Sequence, residues 1–99
     1  MSDGLRLDKW LWQARFAKTR SLAARMIEDG DVLLDGHAVK PAQLARIGSR
    51  VQLRFGRADR VVEIRDLGER RGPASEARLL YEEIAVAPVV KRWVSLIED

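Results

Sequence analysis

Arg6, Lys9, Arg15, Lys18, Arg20 and Arg25 are crowded near the start of the chain and interleaved with Trp10, Trp12 and Phe16. Guanidinium and ammonium groups neutralise phosphates, and aromatic rings stack on unpaired bases. A face that combines them suits structured or single-stranded RNA. On a helical wheel Arg6, Lys9 and Gln13 lie roughly opposite the apolar stripe, with Trp12 and Phe16 beside them. For those two rings packing under the rest of the fold is the favoured reading, because aromatic side chains are usually core. Lys18 and Arg20 flank Thr19 at the entrance to a second helix, whose backbone N–H groups also suit phosphate. The competing reading of this cluster is a solvated charged face without a partner.

Catalytic constellations are harder to assemble. His37 is the sole histidine and follows a hairpin turn, and no cysteine or spaced carboxylate set gives it metal-ligand company. Glycines 68 and 72 enclose Glu69-Arg70-Arg71 but match neither nucleotide fingerprint. Glu82-Glu83 is an adjacent pair, and Ser21, Ser49, Ser75 and Ser95 have no evident base. The expectation is a binding protein, not an enzyme, with no cofactor and no metal.

The 99 residues allow one small domain and little room for a deep cleft. The formal net charge is +3, with a sequence pI of about 9.8. Residues 1–60 hold twelve basic side chains against seven acidic ones, and the remainder holds six against eight. The positive charge therefore belongs to the first two-thirds, as a localised binding face requires. The start of the chain lacks the basic and apolar regions of a signal peptide, and no apolar run is long enough for a membrane span. With no cysteine, a soluble cytoplasmic protein is expected.

Leu7, Trp10, Leu11 and Ala14 recur at helical spacing, with Asp8 near the positive end of the dipole. Thr19 is the expected N-cap of the second helix, Leu22, Ala23, Met26 and Ile27 its stripe, and Gly30 its stop. The helix pair thus runs from about Arg6 to Asp29. Asp35-Gly36 signals a hairpin between Asp31–Leu34 and His37–Lys40, which Pro41 ends. Val51, Leu53 and Phe55 alternate as a strand, a turn follows over Gly56–Asp59, and Val62 and Ile64 begin a fourth strand. After Gly72-Pro73, Ser75 is read as the cap of a helix from Glu76 to about Ala85, and Val89–Ile97 has a further helical face. The reading is an α+β fold with a helix pair on a small, mostly antiparallel sheet. Residues 1–70 form the domain, and 71–99 form a C-terminal helical extension.

Arg6-Leu7-Asp8-Lys9-Trp10-Leu11, Lys18-Thr19-Arg20-Ser21-Leu22-Ala23, Met26-Ile27, Gly30, Val32 and Asp35-Gly36 together resemble the S4 (alpha-L) RNA-binding domain over about Arg6–Leu53. A narrower similarity rests on Leu7–Trp12, Ala14-Arg15-Phe16, Lys40-Pro41 and Arg71–Ala77. These residues are similar to the bacterial ribosome-associated heat shock protein 15 family, and extend the match to about Glu83. The resemblance implies an RNA-binding, ribosome-associated factor that recognises large subunits still carrying a nascent chain on transfer RNA. It would act in recycling or quality control under heat stress. The implied RNA-binding residues are Arg6, Lys9, Gln13, Arg15, Lys18, Thr19, Arg20, Arg25 and Lys40. The implied partners are ribosomal RNA, the large ribosomal subunit and peptidyl-tRNA. Family members commonly continue with a long basic tail, whereas Val86–Ile97 here is apolar. That segment is expected to cover the core or to contact a protein. Two other functions compete: an RNA-targeting subunit for an RNA-modifying enzyme, and a protein-interaction module that uses the apolar tail.

Overall fold

The computed structural model describes residues 4–54 and 58–88. Strand β1 (Leu5–Arg6) leads into helix α1 (Leu7–Gln13) and pairs antiparallel with β3 (Leu44–Ala45). The first N–H groups of α1 have no side-chain cap and are met by backbone carbonyls instead. Leu7 N–H donates to Gln43 O at 2.9 Å and Asp8 N–H to Pro41 O at 3.3 Å. The expected stripe of Leu7, Trp10, Leu11 and Ala14 is buried throughout. Helix α2 (Arg20–Glu28) starts at Thr19, whose hydroxyl accepts Leu22 N–H at 3.0 Å as its sequence position implies.

Both helices end in the same hydrogen-bond pattern. In α2, Gly30 N–H donates to Ile27 O and Asp31 N–H to Met26 O; in α1, Arg15 N–H donates to Trp12 O and Phe16 N–H to Leu11 O. This is the Schellman arrangement, in which the residue after the cap turns left-handed. Gly30 does so at φ 81°, where glycine carries no Cβ penalty. Arg15 takes φ 66° in the equivalent place, which costs a side-chain-bearing residue roughly 1–2 kcal/mol. On α2, Ala23 and Ile27 are buried but Leu22 is exposed, contrary to the expected stripe. The buried line follows i and i+4, and Leu22 sits about 100° round the helix from it.

The main sheet has strand order β2-β4-β5-β6, built from β2 (Val32–Leu34), β4 (Arg50–Leu53), β5 (Ala58–Ile64) and β6 (Tyr81–Pro88). Every neighbouring pair is antiparallel. Val32, Leu34, Val51, Leu53, Val62 and Ile64 alternate onto the face that meets the helices. Asp35 (φ 51°) and Gly36 (φ 84°) form the expected tight turn, closed by His37 N–H to Leu34 O at 3.0 Å. The returning strand His37–Lys40 does not form. Pairing stops at the Leu34–His37 bridge, and β2 instead takes β4 as its partner, Val32 opposite Leu53. The chain after His37 is drawn to the start of α1, where the Pro41 and Gln43 carbonyls are used. The strand expected at Val62 and Ile64 is present within β5, whereas Phe55, Gly56 and Arg57 lie outside the described residues.

The helix expected from Glu76 to Ala85 is a second difference. Four residues form α3 (Ala74–Ala77), a 3₁₀ turn spans Arg78–Leu80, and the chain then becomes β6. Ser75 lies inside α3 and does not cap it. Ala77 and Leu80 are buried as their spacing implied, but Tyr81, Glu82 and Glu83 pair with Ile64, Glu63 and Val62. A helix this short is marginal alone, while β5 presents an edge of unpaired backbone groups. The expected helical face from Val89 to Ile97 lies outside the described residues.

Between β5 and α3 the chain crosses the C-terminal end of α1 and is fastened there by side chains. The Trp10 indole N–H donates to Asp66 O at 3.0 Å, and the Gln13 amide to Leu67 O at 2.9 Å. Arg71 Nε donates to Trp12 O at 3.0 Å, and Arg15 Nε to Gly72 O at 2.8 Å. Residues 66–72 therefore form a strap across α1. Replacing Trp10 by Phe retains most of the buried surface and removes the first bond, leaving a carbonyl unpaired. The expected loss is about 1–3 kcal/mol, against about 3–5 kcal/mol for Trp10→Ala, read from the denaturant midpoint.

Strand β6 is also held by cross-strand ion pairs, Arg60–Glu83 at 2.7 Å and Arg65–Glu82. Arg60 donates to the Glu83 carboxylate and holds its pKa below the ordinary 4.5. A depressed carboxylate contributes stability above its unfolded pKa and loses it as pH falls through the folded value. Both side chains are 36% exposed, so the effect is small. Glu83→Gln should lower stability slightly at neutral pH and converge with the unsubstituted chain as pH falls below the ordinary glutamate value of 4.5 and through the depressed one, measured by denaturation across pH.

Candidate nucleic-acid interface

The two basic helices meet at a carboxylate. Asp8, in the first turn of α1, is only 4% exposed and accepts two bonds from Arg6, from Nε at 3.2 Å and Nη2 at 2.9 Å. Its Oδ1 also lies 3.5 Å from Arg20 Nη2, at the start of α2. One buried acid thus holds two arginines from different elements side by side, while about half of each guanidinium-bearing side chain stays exposed. A bidentate carboxylate contact fixes the guanidinium plane. Asp8 was legible as a favourable helix-dipole residue, but its partnership with Arg20 depends on how α1 and α2 cross.

Lys18, Arg20 and Arg25 are exposed along α2 and its entrance, and Lys9 is half-exposed on α1. Lys9, Lys18 and Arg25 form no ion pair among the described residues. Lys40 is exposed on the turn whose Pro41 and Gln43 carbonyls cap α1, which places that turn beside Arg6. Six of the nine sequence-derived positions, Arg6, Lys9, Lys18, Arg20, Arg25 and Lys40, therefore offer cations on the helix pair or beside its start. Thr19 sits among them with its hydroxyl used in capping α2.

Gln13 departs from the expectation. It is 1% exposed, and its amide serves the strap. The wheel placed it opposite the stripe, but the strap covers that side of the last turn of α1. Its Oε1 has no hydrogen-bond partner among the described residues, and it lines a cavity of about 280 Å³ with Asp66, Glu69, Glu76 and Arg70, whose guanidinium is paired with Glu76. Arg15 remains exposed at the tip of α1, tied to Gly72. Trp12 and Phe16 are both half-buried, and Phe16 packs against the core as the packing reading anticipated, whereas Trp12 is not among the residues packed there. Each also has a guanidinium over its ring, Arg71 at 5.7 Å from Trp12 and Arg60 at 5.6 Å from Phe16. Neither arginine is among the sequence-derived site residues, because both reach these rings from distant segments.

Among the described residues no group of three His, Cys, Asp or Glu is placed to hold a metal, and no helix is long and apolar enough to cross a membrane. What the helix-pair face can do is bind an extended polyanion through several point charges and one preorganised pair of arginines. Thr19→Ala should cost about 1 kcal/mol in folding stability by removing the cap. Lys18→Ala beside it should change stability by less than about 0.5 kcal/mol. Thermal unfolding of the two variants checks the separation of structural from free polar groups.

A family model, the S4 domain, matches residues 5–51. Heat shock protein 15 of Escherichia coli K12 is 51% identical over 81 residues, 82% of this chain and 61% of that protein. The chain thus spans about three-fifths of the length of that curated relative. The RQC P-site tRNA stabilizing factor of Halalkalibacterium halodurans is 33% identical over 87 residues, 88% of this chain and 98% of that protein. The solved trimeric structure of Vibrio cholerae heat shock protein 15 aligns with a TM-score of 0.80 at 41% identity, covering 97% of this chain and 96% of that one. The match covers the helix pair and, in the structural alignment, the strap and β6 as well, and on it the chain belongs to the S4-domain proteins of the heat shock protein 15 family.

Proposed function

We propose that this protein is a non-catalytic RNA-binding factor of the cytoplasm that acts on large ribosomal subunits carrying peptidyl-tRNA, in recycling or quality control under heat stress. The observation that carries the reading is the helix-pair face, where Asp8 presents Arg6 and Arg20 together beside uncompensated Lys9, Lys18 and Arg25. Such a face recognises a phosphate backbone by position as well as by charge. Similarity to heat shock protein 15 and to a factor named for stabilising P-site tRNA supports the ribosomal target. The RNA-contacting set is Arg6, Lys9, Arg15, Lys18, Arg20, Arg25 and Lys40, with Thr19 positioning its neighbours. Residues 1–70 carry the grip, and residues 71–88 continue beside it through α3 and β6.

Arg20 is a poor position for a charge-reversal test, since Arg20→Glu sets a carboxylate against Asp8. Lys9→Glu with Lys18→Glu touches no ion pair among the described residues. That double variant should fold normally, bind RNA at least tenfold more weakly at moderate salt, and lose about 1 unit of logarithmic salt slope per missing contact. In gradients of heat-stressed cell extract the unsubstituted chain should travel with large subunits and the double variant should not. Failure of the unsubstituted chain to co-sediment would refute the ribosomal assignment.

A further inference from the structure

A second, smaller cleft of about 190 Å³ opens where the end of α1 meets α3 and β6. Its walls include Arg15, Phe16, Arg60, Ala77, Arg78 and Tyr81. Phe16 and Tyr81 meet with ring centroids 4.7 Å apart at 50°, and Phe16 also touches Trp10 of the core at 5.9 Å. The rings are therefore backed by rigid packing and half-exposed toward the cleft. Arg60 lies over Phe16, and its charge is met by Glu83. Arg78 is exposed, and its guanidinium has no hydrogen bond or ion pair among the described residues. Arg15 gives Nε to Gly72 O, which orients the guanidinium and leaves its Nη groups without a protein partner among the described residues.

The backbone of Arg15 adds an independent observation. Its position is equivalent to Gly30 in the other helix, yet it carries a long cation at φ 66° where glycine would cost less. A strained residue points toward function. The side chain kept there stands at the rim of an aromatic cleft. An aromatic floor with two uncompensated guanidiniums at its edge matches a planar base joined to a phosphate, and it matches neither an acidic peptide, which needs no ring, nor paired RNA, whose bases are not free to enter.

We propose that this cleft takes one unpaired RNA nucleotide, its base against Tyr81 and Phe16 and its phosphate between Arg15 and Arg78. The inference rests on the RNA-binding reading above and adds that unpaired RNA is preferred. The site is composite, because Arg15 and Phe16 come from the helix-pair region and Arg78 and Tyr81 from the segment beyond the strap.

The test compares two RNA hairpins closed by a non-nucleotide linker, so that a single-nucleotide bulge in one of them is the difference and supplies the unpaired base, each titrated with the full chain. The unsubstituted protein should prefer the bulged hairpin by about tenfold, as one stacked base warrants. Arg78→Glu should bring that preference to near parity while leaving affinity for the paired hairpin within about twofold, and Arg15→Gly should narrow it with a smaller loss on the paired hairpin, since Arg15 also belongs to the RNA-contacting set. Arg15→Gly relieves the left-handed cap but also removes the Nε bond to Gly72 O, so its unfolding temperature is measured beside that of Arg78→Glu, whose guanidinium makes no bond among the described residues and which should unfold at the unsubstituted temperature. The cleft assignment is overturned if both hairpins lose affinity equally, if neither variant changes the preference, or if an oligo-glutamate peptide displaces the bulged hairpin as effectively as the unlabelled bulged RNA. Lys9→Glu with Lys18→Glu separates the two readings. A loss there on both hairpins with Arg78→Glu silent removes only the cleft, whereas no loss in any variant removes the RNA-binding reading as well.

Discussion

The fold depends on how Trp10 is buried. Its ring is completely enclosed, and its one polar atom reaches a backbone carbonyl, Asp66 O, from a segment 56 residues away. An indole carries more apolar area than any other side chain, and burying it without pairing its N–H would forfeit part of that gain. The pairing brings the 66–72 strap onto α1, and three further side chains of α1 and its end, or of the strap, complete the fastening. The strap then sets where α3 and β6 begin. A seven-residue helix, too short to persist alone, is thereby locked on both sides.

That lock has consequences for the charged surface. With α1 fixed against the sheet, its N-terminal turn meets the entrance of α2, and Asp8 can hold Arg6 and Arg20 together. Neutral loop carbonyls, from Pro41 and Gln43, satisfy the start of α1, so this end needs no side-chain cap and its flanking positions remain basic. Lys9, Lys18 and Arg25, which form no ion pair among the described residues, lie off the buried apolar positions of the two helices, Leu7, Trp10 and Leu11 on α1 and Ala23 and Ile27 on α2. A ligand with regularly spaced negative charge can meet several of them at once, which is how phosphate contacts gain affinity.

The later elements complete the main sheet and reach the tip of α1. Strand β6 closes the exposed edge of β5, and the residues before it bring Arg78 and Tyr81 to the tip of α1. The region matched by the S4 family model ends at residue 51, so the strap and β6 lie beyond the matched segment. Similarity to the Vibrio cholerae structure over nearly the whole chain places these later elements in the shared architecture as well. The same guanidinium chemistry therefore occurs in two settings, one on an open helical face and one beside a pair of tilted rings.

Local pattern determined much of this protein without any structure. The α1 stripe, the Thr19 cap, the Gly30 stop and the Asp35-Gly36 turn all follow from short-range sterics and hydrogen bonding, and all are present. The ordered basic and aromatic residues likewise made an RNA-binding module legible. Tertiary structure decided what depends on distant partners. Gln13 stood on the polar side of a helical wheel, but the strap covers it, and no periodicity within α1 contains that information. Residues 76–85 carry a helical pattern, yet the open backbone of β5 outcompetes it with interstrand hydrogen bonds. The strand after Asp35-Gly36 lost its place because β4, distant in sequence, pairs with β2 instead. Asp8 became the hinge of the basic face only when α2 brought Arg20 to it, since a carboxylate's partners are set by approach in space and its own sequence neighbours supply just one of them.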